Sequence, residues 1–134
     1  MQFLNNDKIY FVLHDCIVDT IEAASCGLIL SFKNGIYIAN ENADYRLSKS
    51  CRLELKIYKF KGYEDNHTLI TKYYKARKTE INFKEFCNML SKAKFKVYLD
   101  YYSDYAKSIF IKGSIGKTEV DFIITEIEDL NIQF

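Results

Sequence analysis

Alternation of apolar and polar side chains constrains this chain more than any other feature. Leu28, Leu30 and Phe32 stand at every second position. Lys33-Asn34-Gly35 interrupts the run, and Ile36 and Ile38 resume it. Successive side chains of a strand point to opposite faces, so this pattern builds strands with one buried side. Asn-Gly supplies the positive φ values of a tight turn, and residues 28–38 therefore predict a β-hairpin. A lone hairpin is marginal in water, so the rest of the chain must extend or cover it.

The remainder repeats the same period. Residues 9–13 read as a strand. Residues 16–21 continue it past His14-Asp15, as one bent strand with a bulge. Residues 51–60, 68–74, 95–101, 109–111, 120–125 and 130–134 add further runs. Gly113 to Gly116 reads as a glycine-bounded turn, and the polar stretches 40–50 and 61–67 as loops. One helix is predicted. Asn82 is a capping residue with Glu85 three positions on, and Phe83, Phe86, Cys87 and Leu90 follow at helical spacing. The expected fold is mainly β with one short helix, a β-sandwich or partly open barrel, in a single domain over residues 1–134.

An apolar fraction of 49% supports a packed core and excludes a disordered chain. No run of apolar residues is long enough for a membrane helix, and no basic-then-apolar leader opens the chain. The four cysteines, Cys16, Cys26, Cys51 and Cys87, include no C-x-x-C pair, so reduced thiols in a cytoplasmic protein are expected. Net charge is +1 but unevenly spread: residues 44–78 hold ten Lys or Arg against four acids, and residues 113–134 one Lys against five acids.

Four constellations carry chemistry. In His14-Asp15-Cys16, His14 and Cys16 share one face of an unbroken strand and Asp15 the other, so a Cys–His–Asp site requires a bulge or Asp19 as orienter. The simpler expectation is a polar bulge beside a core thiol, with no catalytic residue. Gly113-Ser114-Ile115-Gly116-Lys117-Thr118 lacks the full P-loop spacing and leads into a strand, not a helix. Zinc-ligand spacing is absent, and the oxygen-rich segment 40–44 lacks the EF-hand pattern, so no metal or cofactor is expected. The fourth constellation is electrostatic. Glu119, Asp121, Glu126, Glu128 and Asp129 form an acidic set suited to a basic protein partner. Arg52, Lys56, Lys59 and Lys61, interleaved with aromatic residues, form the alternative: a surface for single-stranded nucleic acid.

The stretch LHDCIVDTI, residues 13–21, resembles the opening strand of small uncharacterised bacterial β-rich proteins of immunity-protein type, in which His-Asp-Cys or His-Asp-Ser precedes alternating apolar residues. The resemblance spans residues 10–39. It implies a cytoplasmic, non-enzymatic inhibitor that blocks one cognate toxin by steric occupation. It transfers no binding residue.

Overall fold

A computed structural model describes residues 2–4, 9–39, 44–60 and 64–134. The strands in chain order are β1 (Gln2–Leu4), β2 (Ile9–Val12), β3 (Ile17–Val18), β4 (Thr20–Ala23), β5 (Gly27–Phe32), β6 (Tyr37–Ala39) and β7 (Arg46–Leu47). They continue with β8 (Cys51–Ile57), β9 (Thr68–Tyr74), β10 (Arg77–Ile81), β11 (Phe95–Ser103), β12 (Ser108–Ile115), β13 (Thr118–Ile124) and β14 (Ile127–Gln133). A helix, α1 (Phe83–Lys92), lies between β10 and β11. The protein is mainly β with one short helix, as the alternation predicts. Its strands form an N-terminal sheet (β1-β2-β6-β7), a six-stranded sheet (β10-β9-β13-β12-β11-β3) and a third sheet built on β8 (β14-β8-β5-β4). The three are not clearly closed into a barrel. No helix among the described residues is long and apolar enough to cross a membrane.

Residues 9–23 pass through all three sheets, as β2, β3 and β4 in turn. The single bulged strand expected there is instead two corners. At the first, Asp15 takes φ 65° and the Cys16 N–H donates to the Leu13 carbonyl at 2.9 Å. The Asp15 N–H donates to the Val97 carbonyl, and the Val97 N–H donates to the Cys16 carbonyl, both at 2.9 Å, so β11 holds this corner shut. At the second, the Asp19 N–H donates to the Ser31 carbonyl at 2.8 Å and its carboxylate accepts from the Lys33 N–H at 2.7 Å. Breaks in a ladder leave backbone groups unpaired, and these bonds satisfy them.

The hairpin expected at residues 28–38 does not form. β5 pairs with β4 and β8, whereas β6 pairs with β2 and β7. The Lys33-Asn34-Gly35 turn is present, with the Gly35 N–H donating to the Phe32 carbonyl at 3.1 Å and Gly35 at φ 79°. It carries the chain from one sheet to another because Ile36 bonds elsewhere. The Ile36 N–H donates to Ser48 Oγ at 2.9 Å, and the Ile36 carbonyl accepts from the Ser48 N–H at 2.8 Å. Gly35 also permits this approach, since a Cβ there would lie 2.1 Å from the Ser48 carbonyl oxygen. The true hairpin is β4–β5, closed through Ala24 and Gly27 at 2.7 Å.

Gly113 and Ser114 belong to β12, and the turn into β13 is only Gly116-Lys117. Gly113 is needed in the strand because a Cβ would lie 2.6 Å from the Phe95 ring.

A single cluster of buried side chains joins the inner faces of the sheets and α1. Asn82 caps the helix, its Oδ1 accepting from the Glu85 N–H at 2.8 Å, and Asp65 Oδ1 accepts from the Phe83 N–H at 2.8 Å. Phe83, Phe86 and Leu90 form the buried stripe. Phe86 stacks on Phe122 of β13 at 4.8 Å and meets Phe95 of β11 edge-on at 5.5 Å. Full burial of such a ring contributes about 1.5–3 kcal/mol. The helix therefore packs on the inner side of the six-stranded sheet, and no element among the described residues packs on its outer side.

The β9–β10 turn carries removable strain. Tyr74 pairs with Arg77, and the two residues between them, Lys75 and Ala76, take φ 47° and 67°. That is the sign pattern of a type I′ turn, which favours Asn-Gly. Left-handed backbone costs an L-residue roughly 1–2 kcal/mol. Lys75→Asn combined with Ala76→Gly is expected to stabilise the fold by about 1 kcal/mol, read as a higher urea midpoint at unchanged slope. A lower midpoint would refute this turn geometry.

Candidate protein-binding face

The acidic residues expected to act together fall in separate places. Glu119 and Asp121 lie on the outer face of β13, in the six-stranded sheet. Glu126 sits in the connection to β14 at φ 59°, its Oε1 3.6 Å from Nδ1 of the buried His67. Glu128 and Asp129 are on β14 of the third sheet. Glu128 pairs with Lys56 at 3.5 Å, and Asp129 is opposite Lys56 in the ladder. The five do not form one patch, because β13 and β14 are consecutive in sequence but enter different sheets.

The basic set is also divided or engaged. Arg52 and Lys56 are exposed on β8, where Arg52 donates to Gln133 Oε1 at 3.1 Å and Lys56 holds Glu128. Lys59 Nζ lies 5.2 Å from the centre of the Tyr58 ring. Lys61 lies outside the described residues. A hollow of about 800 Å³ beside these strands is lined in part by Gly27, and its charged residues Glu54, Lys56 and Asp129 include both signs.

The outer face of the six-stranded sheet is different. Cross-strand partners share a face, so the register defines its rows. Leu69, Ile123, Phe110 and Tyr101 stand side by side across β9, β13, β12 and β11. The adjoining row is Glu80, Thr71, Asp121, Lys112 and Leu99. Leu69 is 44%, Leu99 52% and Tyr101 64% exposed, and Ile123 and Phe110 are half-buried. A register shift between Val97 and Leu99 adds Tyr98 to this face, where its hydroxyl meets Ser114 Oγ at 2.6 Å. The loop that closes β11 to β12 carries Tyr105 fully exposed. The row leaves apolar side chains in contact with water on the side of the sheet away from the core.

Asp121 gives this face a polar anchor. The Tyr73 hydroxyl donates to Asp121 Oδ2 at 3.0 Å, and that bond raises the Tyr73 phenol above its ordinary value. Asp121 Oδ1 is buried and has no hydrogen-bond partner among the described residues. An unsatisfied buried acceptor is costly and gains from an incoming donor. The sequence marked Asp121 and Glu119 but missed Leu69, Leu99, Tyr101, Phe110 and Ile123. Each belongs to an alternating run that reads equally well as core.

The His14-Asp15-Cys16 segment forms the first corner of the chain. The His14 ring turns to the Tyr98 carbonyl through Nδ1, and its Nε2 lies 3.4 Å from Asp15 Oδ2. Cys16 is buried, its Sγ near the Val12 and His14 carbonyls at 3.7 Å. Burial pushes its thiol up to about 11. Asp19 is buried at the second corner, on Lys33 and Lys94, and does not orient His14. No group of three or more His, Cys, Asp or Glu side chains able to hold a metal occurs among the described residues.

Thiol-reagent labelling of the native protein near neutral pH should modify exposed Cys26 and leave Cys16 protected until the fold opens. Rapid labelling of Cys16 that His14→Ala abolishes would restore the nucleophile reading.

Asp100 supplies a pH-dependent contact at the first corner. Its Oδ1 accepts from the Leu13 N–H at 3.1 Å, while burial raises its carboxyl above the ordinary 3.8. A carboxyl raised on folding contributes stability that is full below pH 3.8 and is lost as pH rises through the raised value. Asp100→Asn keeps an acceptor and removes the buried charge. Its urea midpoint should exceed that of the wild type at pH 7, and the gap should close below pH 3.8. Asp100→Ala orphans the Leu13 N–H and should cost about 1–3 kcal/mol. A gap for Asp100→Asn that widens on acidification would contradict this assignment.

Compared with known proteins, the chain matches no family model, no curated protein and no solved structure.

Proposed function

We propose that this chain is a protein-binding inhibitor that docks on its partner through the outer face of the six-stranded sheet and acts by steric occupation of a functional surface. The exposed apolar row Leu69–Ile123–Phe110–Tyr101 carries the reading. The partner is a protein with an apolar ridge to cover that row and a Lys or Arg to reach Asp121. Asp121 and Glu119 remain the acidic contacts, whereas Glu126, Glu128 and Asp129 drop out because they lie off this face. Tyr101 and Tyr98 fit the role of anchors, since tyrosine offers large contact area at low entropic cost. A cytoplasmic setting and a toxin as partner are part of the proposal, in line with the immunity-type resemblance of residues 10–39.

The nucleic-acid reading through Arg52, Lys56, Lys59 and Lys61 is weaker. Arg52, Lys56 and Lys59 already contact Gln133, Glu128 and Tyr58.

The test is capture of partners from a lysate of the native host by wild type, by Leu69→Glu with Tyr101→Glu, and by Asp121→Asn. The wild type should retain a specific protein. The double variant should lose it, and Asp121→Asn should weaken it at least about tenfold, a difference near 1.4 kcal/mol. Arg52→Ala with Lys56→Ala should retain it. A captured protein that the double variant still holds would reject this face, and nucleic acid lost only with the Arg52 and Lys56 changes would favour the second reading.

A further inference from the structure

A second feature lies on the inner side of the same sheet, beyond the reach of the core. Ile70, Ile81 and Val120 face inward and are buried. Two residues farther along each strand, Lys72, Thr79 and Thr118 face the same side, and Lys72 pairs with both Thr79 and Val120. Tyr74 and Arg77 follow as the next pair on that side. Core-facing positions of the sheet thus change from apolar to cationic and hydroxylic at one end. They do so where α1 offers Met89, and the result is a hollow of about 550 Å³ lined by Lys72, Tyr74, Arg77, Thr79, Met89 and Thr118.

The charges in this hollow are unbalanced. Its lining includes no carboxylate. Glu80 and Glu119, on neighbouring strand positions, face the opposite side of the sheet, opposite Thr71 and Tyr73. Glu85 is one turn before Met89 on α1 and is not part of the lining. The side chains of Lys72 and Arg77 have neither a hydrogen bond nor an ion pair among the described residues. Lys75, next to Tyr74 in the β9–β10 turn, has its Nζ 5.4 Å from the centre of the Tyr74 ring.

We propose that this hollow binds an anionic small molecule of nucleotide size, with its phosphate on Lys72 and Arg77 and its apolar or planar part against Tyr74 and Met89. Arg and Lys donate charge-assisted hydrogen bonds to phosphate oxygens, and Arg does so as a two-pronged fork. The Thr79 and Thr118 hydroxyls add neutral donors. The volume falls within the roughly 300–1,000 Å³ of small-ligand sites. The bland alternative is that Lys72 and Arg77 merely cover the end of α1 with their aliphatic stems. That role needs no anion and predicts a loss of stability on truncation rather than a loss of binding.

The experiment titrates the isotope-labelled full chain with adenosine 5′-monophosphate, and separately with inorganic phosphate, following backbone amide shifts. Shifts should concentrate at Lys72, Tyr74, Arg77, Thr79 and Thr118, and the nucleotide should bind more tightly than phosphate. Lys72→Gln with Arg77→Gln should weaken nucleotide binding at least about tenfold. Thr79→Val provides a milder variant, expected to weaken binding with the thermal midpoint little changed. Leu69→Glu with Tyr101→Glu, on the opposite face, should leave nucleotide binding intact, so this site and the protein-binding face fail independently. Absence of shifts at millimolar nucleotide would overturn the proposal. So would equal affinity for phosphate and nucleotide, or binding that survives Lys72→Gln with Arg77→Gln.

Discussion

The fold depends on keeping two sharp corners satisfied in fifteen residues of chain. Residues 9–23 contribute a strand to each of the three sheets, and each change of sheet interrupts a hydrogen-bond ladder. Buried backbone groups left unpaired would cost more than a domain of this size can spare. Asp100 reaches the first corner at the Leu13 N–H, and β11 clamps Asp15 and Cys16 there through Val97. Asp19 serves the second corner through Ser31 and Lys33. Two half-buried or buried carboxylates thus do structural work that a run of Val and Ile could not, because the corners need acceptors.

Once the corners are set, the sides of the six-stranded sheet acquire different fates. Its inner face receives α1, and the Phe86–Phe122–Phe95 cluster welds helix to sheet. Its outer face receives no other element among the described residues, although Leu69, Phe110, Ile123, Leu99 and Tyr101 stand on it. Apolar positions on both sides of a strand usually mean cover on both sides. Here no second cover is present among the described residues, and the proposed partner would supply it. The inner face, in turn, outruns its helix at the β9–β10 end and finishes in lysine, arginine and threonine.

Much of the secondary structure was legible in the sequence. Period-two alternation marked the long strands, and the Asn82–Glu85 cap with its Phe83, Phe86 and Leu90 stripe marked α1, because these signals are local. Pairing was much less legible. Leu28 to Ile38 has the pattern and the turn of a hairpin, yet Ser48, twelve residues beyond Ile36, competes for the Ile36 N–H and carbonyl and draws β6 into another sheet. Likewise, Gly113 resembles a turn residue until the Phe95 ring is placed against it. Charge blocks misled for the same reason. The acidic run from Glu119 to Asp129 crosses from one sheet to the next, so adjacency in sequence becomes separation on the surface.

The sequence by itself determined that this is a strand-rich chain with one capped helix, buried apolar faces and Asp121 and Glu119 on one face of a strand. Those properties follow from side-chain periodicity and from capping chemistry within a few residues. Only the tertiary structure decided which apolar face is core and which is open to water. It alone placed Lys72 beside Thr79 and Arg77 beside Tyr74 in one hollow, and engaged the His14 ring with the Tyr98 carbonyl and Asp15. The physical reason is that burial, pairing and electrostatic neighbourhood are relations between distant segments. A strand's alternation announces that it has two sides, and the partners brought across by the fold determine what each side meets.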